Sequence, residues 1–341
     1  QTTAPSFWYR RVQEYGRTTR MMVRMQIFWR RSSRKPGPSN LPLTESPAMN
    51  APASQSCPAC QNRLQTGLYP WHLVCSACSY EGSSLLVDID VHGDREVLDE
   101  TLREEGLSDL RQSNFRTLAA ELDETLNPPA GTSPTLLDVG CGHGWFLKAT
   151  SPHFTGLGIE PDARVAEMAT AQGVQVRRGF FPDVLEANER FDVISFNDVM
   201  EHIPNVNAAF DACVQHLKPG GRILVNSPAR TGVLYRISKL MNRLGMRGSF
   251  ERMWQKGFPS PHVHYFDDDS IRAIGQRAGL MLEKTSTLPS ISTSGLYARI
   301  RYDRNMSAAK AALIAAILTI LNPILQRMPA DIKVWTLRAP G

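Results

Sequence analysis

The chain is poor in the features that export a protein or thread it through a bilayer. No apolar stretch of about 7–15 residues follows the early arginines, so no secretory leader is expected. The run from Ala308 to Leu321 is apolar but for Lys310 and Thr319. At about 14 residues it falls short of the ~20 needed to cross a membrane. Positive charge is scarce where a nucleic-acid face would need it. The net charge is +5, but residues 1–35 alone contribute +8, nine basic side chains against Glu14, which leaves −3 for the rest. A slightly acidic body does not indicate a broad nucleic-acid surface. Cysteine is sparse too, six residues in 341. Two disulfides among them would call for an oxidising compartment that nothing here implies.

The length suits one sizeable catalytic domain plus something small. Residues 1–52 mix arginines with aromatics and run into a Pro/Ser-rich stretch. We read them as an extension outside the folded body, disordered or non-native, with Met49 as initiator. A transit peptide or a basic nucleic-acid arm is the alternative. The cysteines that are present are clustered. Cys57-Pro-Ala-Cys60 and Cys75-Ser-Ala-Cys78 form two CxxC pairs fourteen residues apart. Each knuckle can place two thiolates on one metal, and two knuckles close a tetrahedral four-cysteine site with no open position. That predicts a structural zinc ribbon over residues 53–92, folded by its metal. A redox CxxC competes less well, because such motifs come singly. Cys141 and Cys213 fall inside the later pattern and read as packing residues.

A helical segment over 93–134 should lead into an α/β body over 135–341, with insertions near 228–265 and 290–330. Short apolar runs at Thr135–Val139, Gly156–Ile159, Val174–Val176, Phe191–Phe196 and Gly221–Val225 alternate with helical patterns. Such alternation argues for a parallel sheet flanked by helices. Helices are expected from Trp145, over Asp162–Gln172 and Ala208–Leu217, and over Asp267–Ala278 with Asp267 or Asp268 as N-cap. Leu280–Thr285 and Ile332–Leu337 read as late strands, the second as an antiparallel edge.

The first strand runs into Gly140-Cys-Gly142-His-Gly144. Glycines let the backbone approach a ligand, and the helix that follows turns its N–H groups towards it. Glu160 stands twenty residues after Gly140, where a carboxylate can accept both hydroxyls of an adenosine ribose. The Gly-x-Gly-x-x-Gly register of dinucleotide sites is missing. Trp145 or Leu147 would stand at its third glycine and hold helix and strand apart. NAD is therefore disfavoured.

Leu136-Leu-Asp-Val-Gly-Cys-Gly-His-Gly144, Gly158-Ile-Glu-Pro-Asp162, Phe191-Asp-Val-Ile-Ser-Phe-Asn-Asp-Val-Met-Glu-His202 and Leu217-Lys-Pro-Gly-Gly-Arg-Ile-Leu224 follow one another as in class I S-adenosylmethionine-dependent methyltransferases. The chain most resembles the group that includes ubiquinone-biosynthesis O-methyltransferases, some of which carry a four-cysteine knuckle pair before the catalytic domain. Pro261-His-Val-His-Tyr-Phe266 resembles that group's post-sheet signature. The resemblance implies a Rossmann-like seven-stranded sheet with S-adenosylmethionine as methyl donor. It implies that Gly140, Gly142 and Gly144 shape the loop around the methionine moiety, with Asp138 fixing it, and that Glu160 holds the ribose. Phe181 and Asp183, in the turn Gly179–Asp183, would cover the adenine. Asn197 and Asp198 would lie under the sulfonium.

A hydroxyl acceptor would need a base, and His202, His262 and His264 are the candidates, His202 and His264 foremost. In the resembled group an acid, a Glu and a His similarly spaced are associated with a divalent metal. Asp198, Glu201 and His202 would supply it here, against the plainer reading of a solvated helix start. The expected partner is a small-molecule or lipid-linked acceptor. Residues 308–326 offer peripheral membrane contact if they do not form a buried or dimerising helix. A cytoplasmic enzyme, or one peripheral to the inner membrane, follows. The competing readings are an RNA methyltransferase using its ribbon, and a non-catalytic cofactor-binding module.

Overall fold

The structure is a computed structural model that describes residues 56–89, 100–126, 128, 131–290, 296–301, 307–325 and 327–341. The expectations for residues 1–52 lie outside these described residues. Three short strands come first: β1 (Gln65–Thr66), β2 (His72–Val74) and β3 (Glu81–Ser83). Helix α1 (Glu100–Leu126) leads to the body: β4 (Thr135–Val139), α2 (Trp145–Thr150), β5 (Thr155–Glu160), α3 (Ala163–Ala171), β6 (Val176–Arg178) and β7 (Phe191–Asn197). After a 3-10 turn at Met200–His202 come α4 (Val206–His216), β8 (Leu217–Pro228), α5 (Val233–Arg243) and α6 (Arg247–Met253). The chain finishes with β9 (His264–Tyr265), α7 (Asp268–Arg277), β10 (Met281–Leu288), α8 (Leu296–Arg301), α9 (Ala308–Leu325) and β11 (Ile332–Arg338).

The large sheet has seven strands in the order β6-β5-β4-β7-β8-β11-β10. The five strands from β6 to β8 are parallel, and β11 runs antiparallel to both β8 and β10. The chain moves outward from β4 to β5 and β6, then returns to the other side of β4 with β7 and β8. Strand order therefore reverses between β4 and β7, and the crevice at their carboxyl ends is where such sheets take ligands. This is the Rossmann-like methyltransferase sheet. Its central strands are apolar runs because helices cover both faces. Leu136, Leu137, Val193, Ile194, Phe196, Ile223 and Val225 are all buried.

Local chemistry sets the helix ends. Asp162 caps α3 by accepting from the Arg164 and Val165 amides, and Gly173 ends the turn beyond it at φ 83°. Asp267 and Ser270 form a reciprocal capping box on α7. Two expectations need correction. Ile332–Arg338 is not an edge strand: it lies between β8 and β10, and β10 forms the edge. The third parallel strand starts at Val176, because Val174 is buried against the glycine turn instead, its side chain standing where a Cβ on Gly144 would be.

The ribbon's sheet does not close on itself. Its order is β1-β2-β3-β9, so the fourth strand comes from the post-sheet segment. Cys57, Ala59, Cys75 and Tyr80 lie in one apolar core with Ile203, Val206, Phe266 and Ile271. Helix α1 packs on the sheet's other face, where Phe115, Leu118 and Leu122 join Leu136, Phe146, Val193 and Leu224. Helix α9 runs eighteen residues through Pro323, longer than the apolar run suggested, and among its described residues only Ala311 is buried. By length and composition alone it could cross a membrane.

Candidate functional site

The glycine turn takes the strand-to-helix route the sequence implies, with Gly140, Gly142 and Gly144 all in the left-handed region at φ 66°, 52° and 72°. The three are not equivalent. A Cβ on Gly140 would meet Val199 at 2.6 Å, and one on Gly144 would meet Val174 at 2.7 Å. A Cβ on Gly142 would meet nothing within 4 Å. Two of the glycines are thus required by packing, and the middle one faces open space at the carboxyl end of β4. Glu160, buried at the end of β5, turns to this turn: its Oε2 accepts from Gly142 N at 2.9 Å and its Oε1 from Asp162 N at 3.0 Å. Burial raises its pKa, although both amide hydrogen bonds oppose the shift. Each carboxylate oxygen keeps a second acceptor site for a ligand hydroxyl. An open glycine face with an adjoining carboxylate fits the nucleoside end of S-adenosylmethionine.

Other expected contacts fall differently. Asp138, 2% exposed, makes no hydrogen bond to the glycine turn among the described residues. Its Oδ1 accepts from Ser195 Oγ (2.7 Å) and Asn197 Nδ2 (3.0 Å), so it ties β4 to β7. Burial raises its pKa to about 7. Phe181 points inward, 2% exposed, edge-on to Phe196 and His216 in the core, so it packs the sheet instead of covering an adenine. Asp183 is exposed in the turn after β6. Asn197 is held between Asp138 and Asn226. Asp198 follows it at φ 55°, a left-handed geometry that asparagine and aspartate tolerate best among side-chain-bearing residues.

The Asp198 carboxylate accepts from Arg111 Nη2 at 3.0 Å. Arg111 comes from α1, eighty-seven positions earlier, and no motif in the sequence pointed to it. Glu201, 1% exposed, has no well-formed hydrogen bond to either oxygen among the described residues, with the Ser227 hydroxyl as a polar neighbour. Burial, then the charge of Asp198, raises its pKa well above the usual carboxylate range. Its ligand atom lies within 4.8 Å of those of His202 and His262. The trio that could hold a metal is therefore Glu201, His202 and His262, not the expected set with Asp198, whose carboxylate faces Arg111. His202 Nδ1 donates to the Pro261 carbonyl at 2.9 Å, which leaves Nε2 as the basic nitrogen. His262 packs against it at 4.9 Å between ring centroids, and burial holds its pKa well below normal, with His202 adding to the shift.

His264, expected as a base, is engaged elsewhere. Nε2 bonds the Ile203 carbonyl at 2.8 Å and Nδ1 pairs with the Tyr80 hydroxyl of the ribbon. It is buried, its pKa is lowered to about 4 by that burial, and it joins the ribbon to the body.

The four clustered cysteines come together as their spacing implies. Cys57 Sγ lies 3.5 Å from Cys78 Sγ, Cys60 Sγ lies 3.4 Å from Cys75 Sγ, and all four fall within 4.8 Å. Zinc–sulfur bonds of about 2.3 Å in a tetrahedron place sulfurs about 3.8 Å apart, so this quartet fits zinc.

Residues 110–285 match the model of a family described as a methyltransferase domain, just over half of the chain. A ubiquinone biosynthesis O-methyltransferase from Xylella fastidiosa (strain 9a5c) is 36% identical over 104 residues, 28% of this chain and 42% of that relative. Another, from Xanthomonas axonopodis pv. citri (strain 306), is 28% identical over 170 residues, 46% of this chain and 66% of the relative. The chain thus spans about two fifths of the length of the first of these. Among solved structures, a Haloferax volcanii methyltransferase in complex with the Trm112 methyltransferase activator aligns at a TM-score of 0.49 and 17% identity, covering 71% of this chain and 96% of that one.

Proposed function

The chain belongs to the methyltransferase domain family, and we propose that it is a class I S-adenosylmethionine-dependent methyltransferase that methylates a hydroxyl of a small-molecule or lipid-linked acceptor. The observation that carries this is the open side of Gly142 beside the Glu160 carboxylate, at the point where strand order reverses. The relatives named above as O-methyltransferases support oxygen as the acceptor atom.

The bound donor would supply a methyl group on a sulfonium, a good leaving group that needs in-line attack and little else. Alignment of the reactants then provides most of the acceleration, with effective molarities of ~10⁵ M or more in favourable cases. This chain contributes the alignment and the proton. The glycine turn and Glu160 would hold the donor's nucleoside and methionine ends, and Asp183 would contact the adenine. Asn197 and Asp198, ending β7, form the floor of the crevice, and Arg111 fixes the Asp198 carboxylate. His202 accepts the acceptor's hydroxyl proton at Nε2, because the Pro261 carbonyl holds Nδ1 in its protonated form. Zinc held by the four cysteines of the ribbon would be structural and would stand apart from these steps.

Cell extract divided into lipid, glycan, quinone and RNA fractions, incubated with the protein and methyl-labelled donor, tests the reading. Label should appear in a lipid, glycan or quinone fraction as a base-stable ether, and label confined to RNA overturns it. On the identified acceptor, His202→Ala should lower kcat by about 10²–10⁴ with donor affinity unchanged. Activity within about threefold of wild type would remove His202 from the mechanism.

A further inference from the structure

Beyond the carboxyl end of β8, on the same end of the sheet as the glycine turn, lies a cavity of about 390 Å3. Glu81, Arg230, Thr231, Arg236, Lys239 and Arg243 line it. Two of its four cations are already matched. Arg230 pairs with Asp267, and Lys239 donates to Glu81 at 2.7 Å. Arg236 and Arg243 are exposed, and neither makes a hydrogen bond or ion pair among the described residues. They stand seven positions apart on α5, two helical turns on one face, with Lys239 between them. The Thr231 hydroxyl is buried without a hydrogen-bond partner. A buried polar group left unpaired signals a missing partner. Two uncompensated guanidinium forks and an idle hydroxyl, beside the crevice of a transferase, are the donor set for one ligand class.

We propose that this cavity binds a phosphate dianion, and that the methyl acceptor is a phosphate or pyrophosphate ester anchored there by Arg236, Arg243 and Thr231. The second half rests on the acceptor reading above; the first does not. Two unpaired positive charges match the double charge of a phosphate monoester, whereas a carboxylate would leave one unanswered.

Calorimetric titration of the full chain with inorganic phosphate at low ionic strength tests the site without any methyl transfer. Saturable binding is expected, weakened at least tenfold in the double variant Arg236→Ala/Arg243→Ala and several-fold in Thr231→Val. Donor binding, measured separately, should be unchanged in both, so a failure here is distinct from a failure of the methyltransferase reading. Arg247→Ala removes an exposed charge outside the cavity lining and should leave phosphate affinity alone. Absent saturation, wild-type affinity in the double variant, or equal loss in Arg247→Ala would each overturn the site. Phosphatidylcholine vesicles with and without phosphatidic acid then separate the sources. Capture by the acidic vesicles, competed by inorganic phosphate, assigns the anion to a lipid head group. Phosphate binding without capture assigns it to a soluble ester.

Discussion

A side chain added at position 142 would enter open space, while one at position 140 would strike Val199 at 2.6 Å. The two glycines of one turn therefore predict different failures. Gly142→Val should lose donor binding by at least tenfold yet keep its thermal midpoint within a few degrees, the residual cost being the strain of a left-handed side chain. Gly140→Val should instead unfold or fail to accumulate. Equal donor affinity in Gly142→Val, measured by calorimetry, would refute the assignment of this face. Asp138 predicts a second outcome. Its folded pKa is raised by burial from 3.8 to about 7, so the folded chain holds a proton that the unfolded chain releases. The associated stability is complete below about pH 4 and is lost as pH rises through about 7. Asp138→Asn can still accept from Ser195 and Asn197, and it carries no charge to bury. It should be more stable than wild type at about pH 8 by urea midpoint, and a less stable variant would sink this account. The glycines and Glu160 were legible in the sequence because strand, turn and next strand keep them close along the chain. Arg111 and Glu81 were not, nor was the place of His262 beside Glu201 and His202, because each meets its partners only through the tertiary fold: Asp198 lies eighty-seven positions from Arg111, and Pro261, the partner of His202, lies fifty-nine positions on.

The parallel strands and their helices could be read at the scale of elements, since apolar runs bounded by caps mark both ends. What periodicity could not show is lateral order, which is why Ile332–Leu337 looked like an edge and instead lies in β11, flanked on both sides. The ribbon makes the same point. Its two knuckles were plain from spacing, but nothing local shows that β3 pairs with β9 or that Tyr80 bonds His264. The consequence is measurable. Metal binding is folding energy for a ribbon of this kind, and here the ribbon shares its core with Ile203, Val206 and Phe266. Stripping zinc with a chelator should therefore lower the melting temperature of the whole catalytic unit as one transition. At roughly 2–4 °C per kcal/mol for domains of this size, a shift of about 5 °C or more is expected. Cys75→Ser should do the same without a chelator. An unchanged main transition, with only a small separate one lost, would mean that the ribbon folds independently of the body.

Across the whole molecule, ribbon, insertion helix and sheet end converge on one carboxylate. Glu81 sits on β3, is 4% exposed, and accepts from His72 Nε2 at 3.0 Å, Tyr235 Oη at 2.7 Å and Lys239 Nζ at 2.7 Å, with Arg230 3.8 Å away. Burial alone would push its pKa up. The bond from His72, followed by the charge and hydrogen bond of Lys239 and the bond from Tyr235, holds it down at about 2 instead of 4.5. A carboxylate depressed on folding contributes stability that is present above its unfolded pKa and is lost as pH falls through the folded value. The window for Glu81 therefore runs from about pH 4.5 down to about 2. The depression corresponds to roughly 3 kcal/mol at neutral pH, at about 1.36 kcal/mol for each pH unit. Glu81→Gln keeps the shape and discards the charge, leaving Lys239 and Arg230 with less to face. Its deficit against wild type in urea unfolding should be widest above about pH 5 and should shrink steadily as the pH falls towards about 3. A deficit that stays the same from about pH 7 to about pH 3 would show that Glu81 acts by packing alone, and that charge does not tie the three parts together.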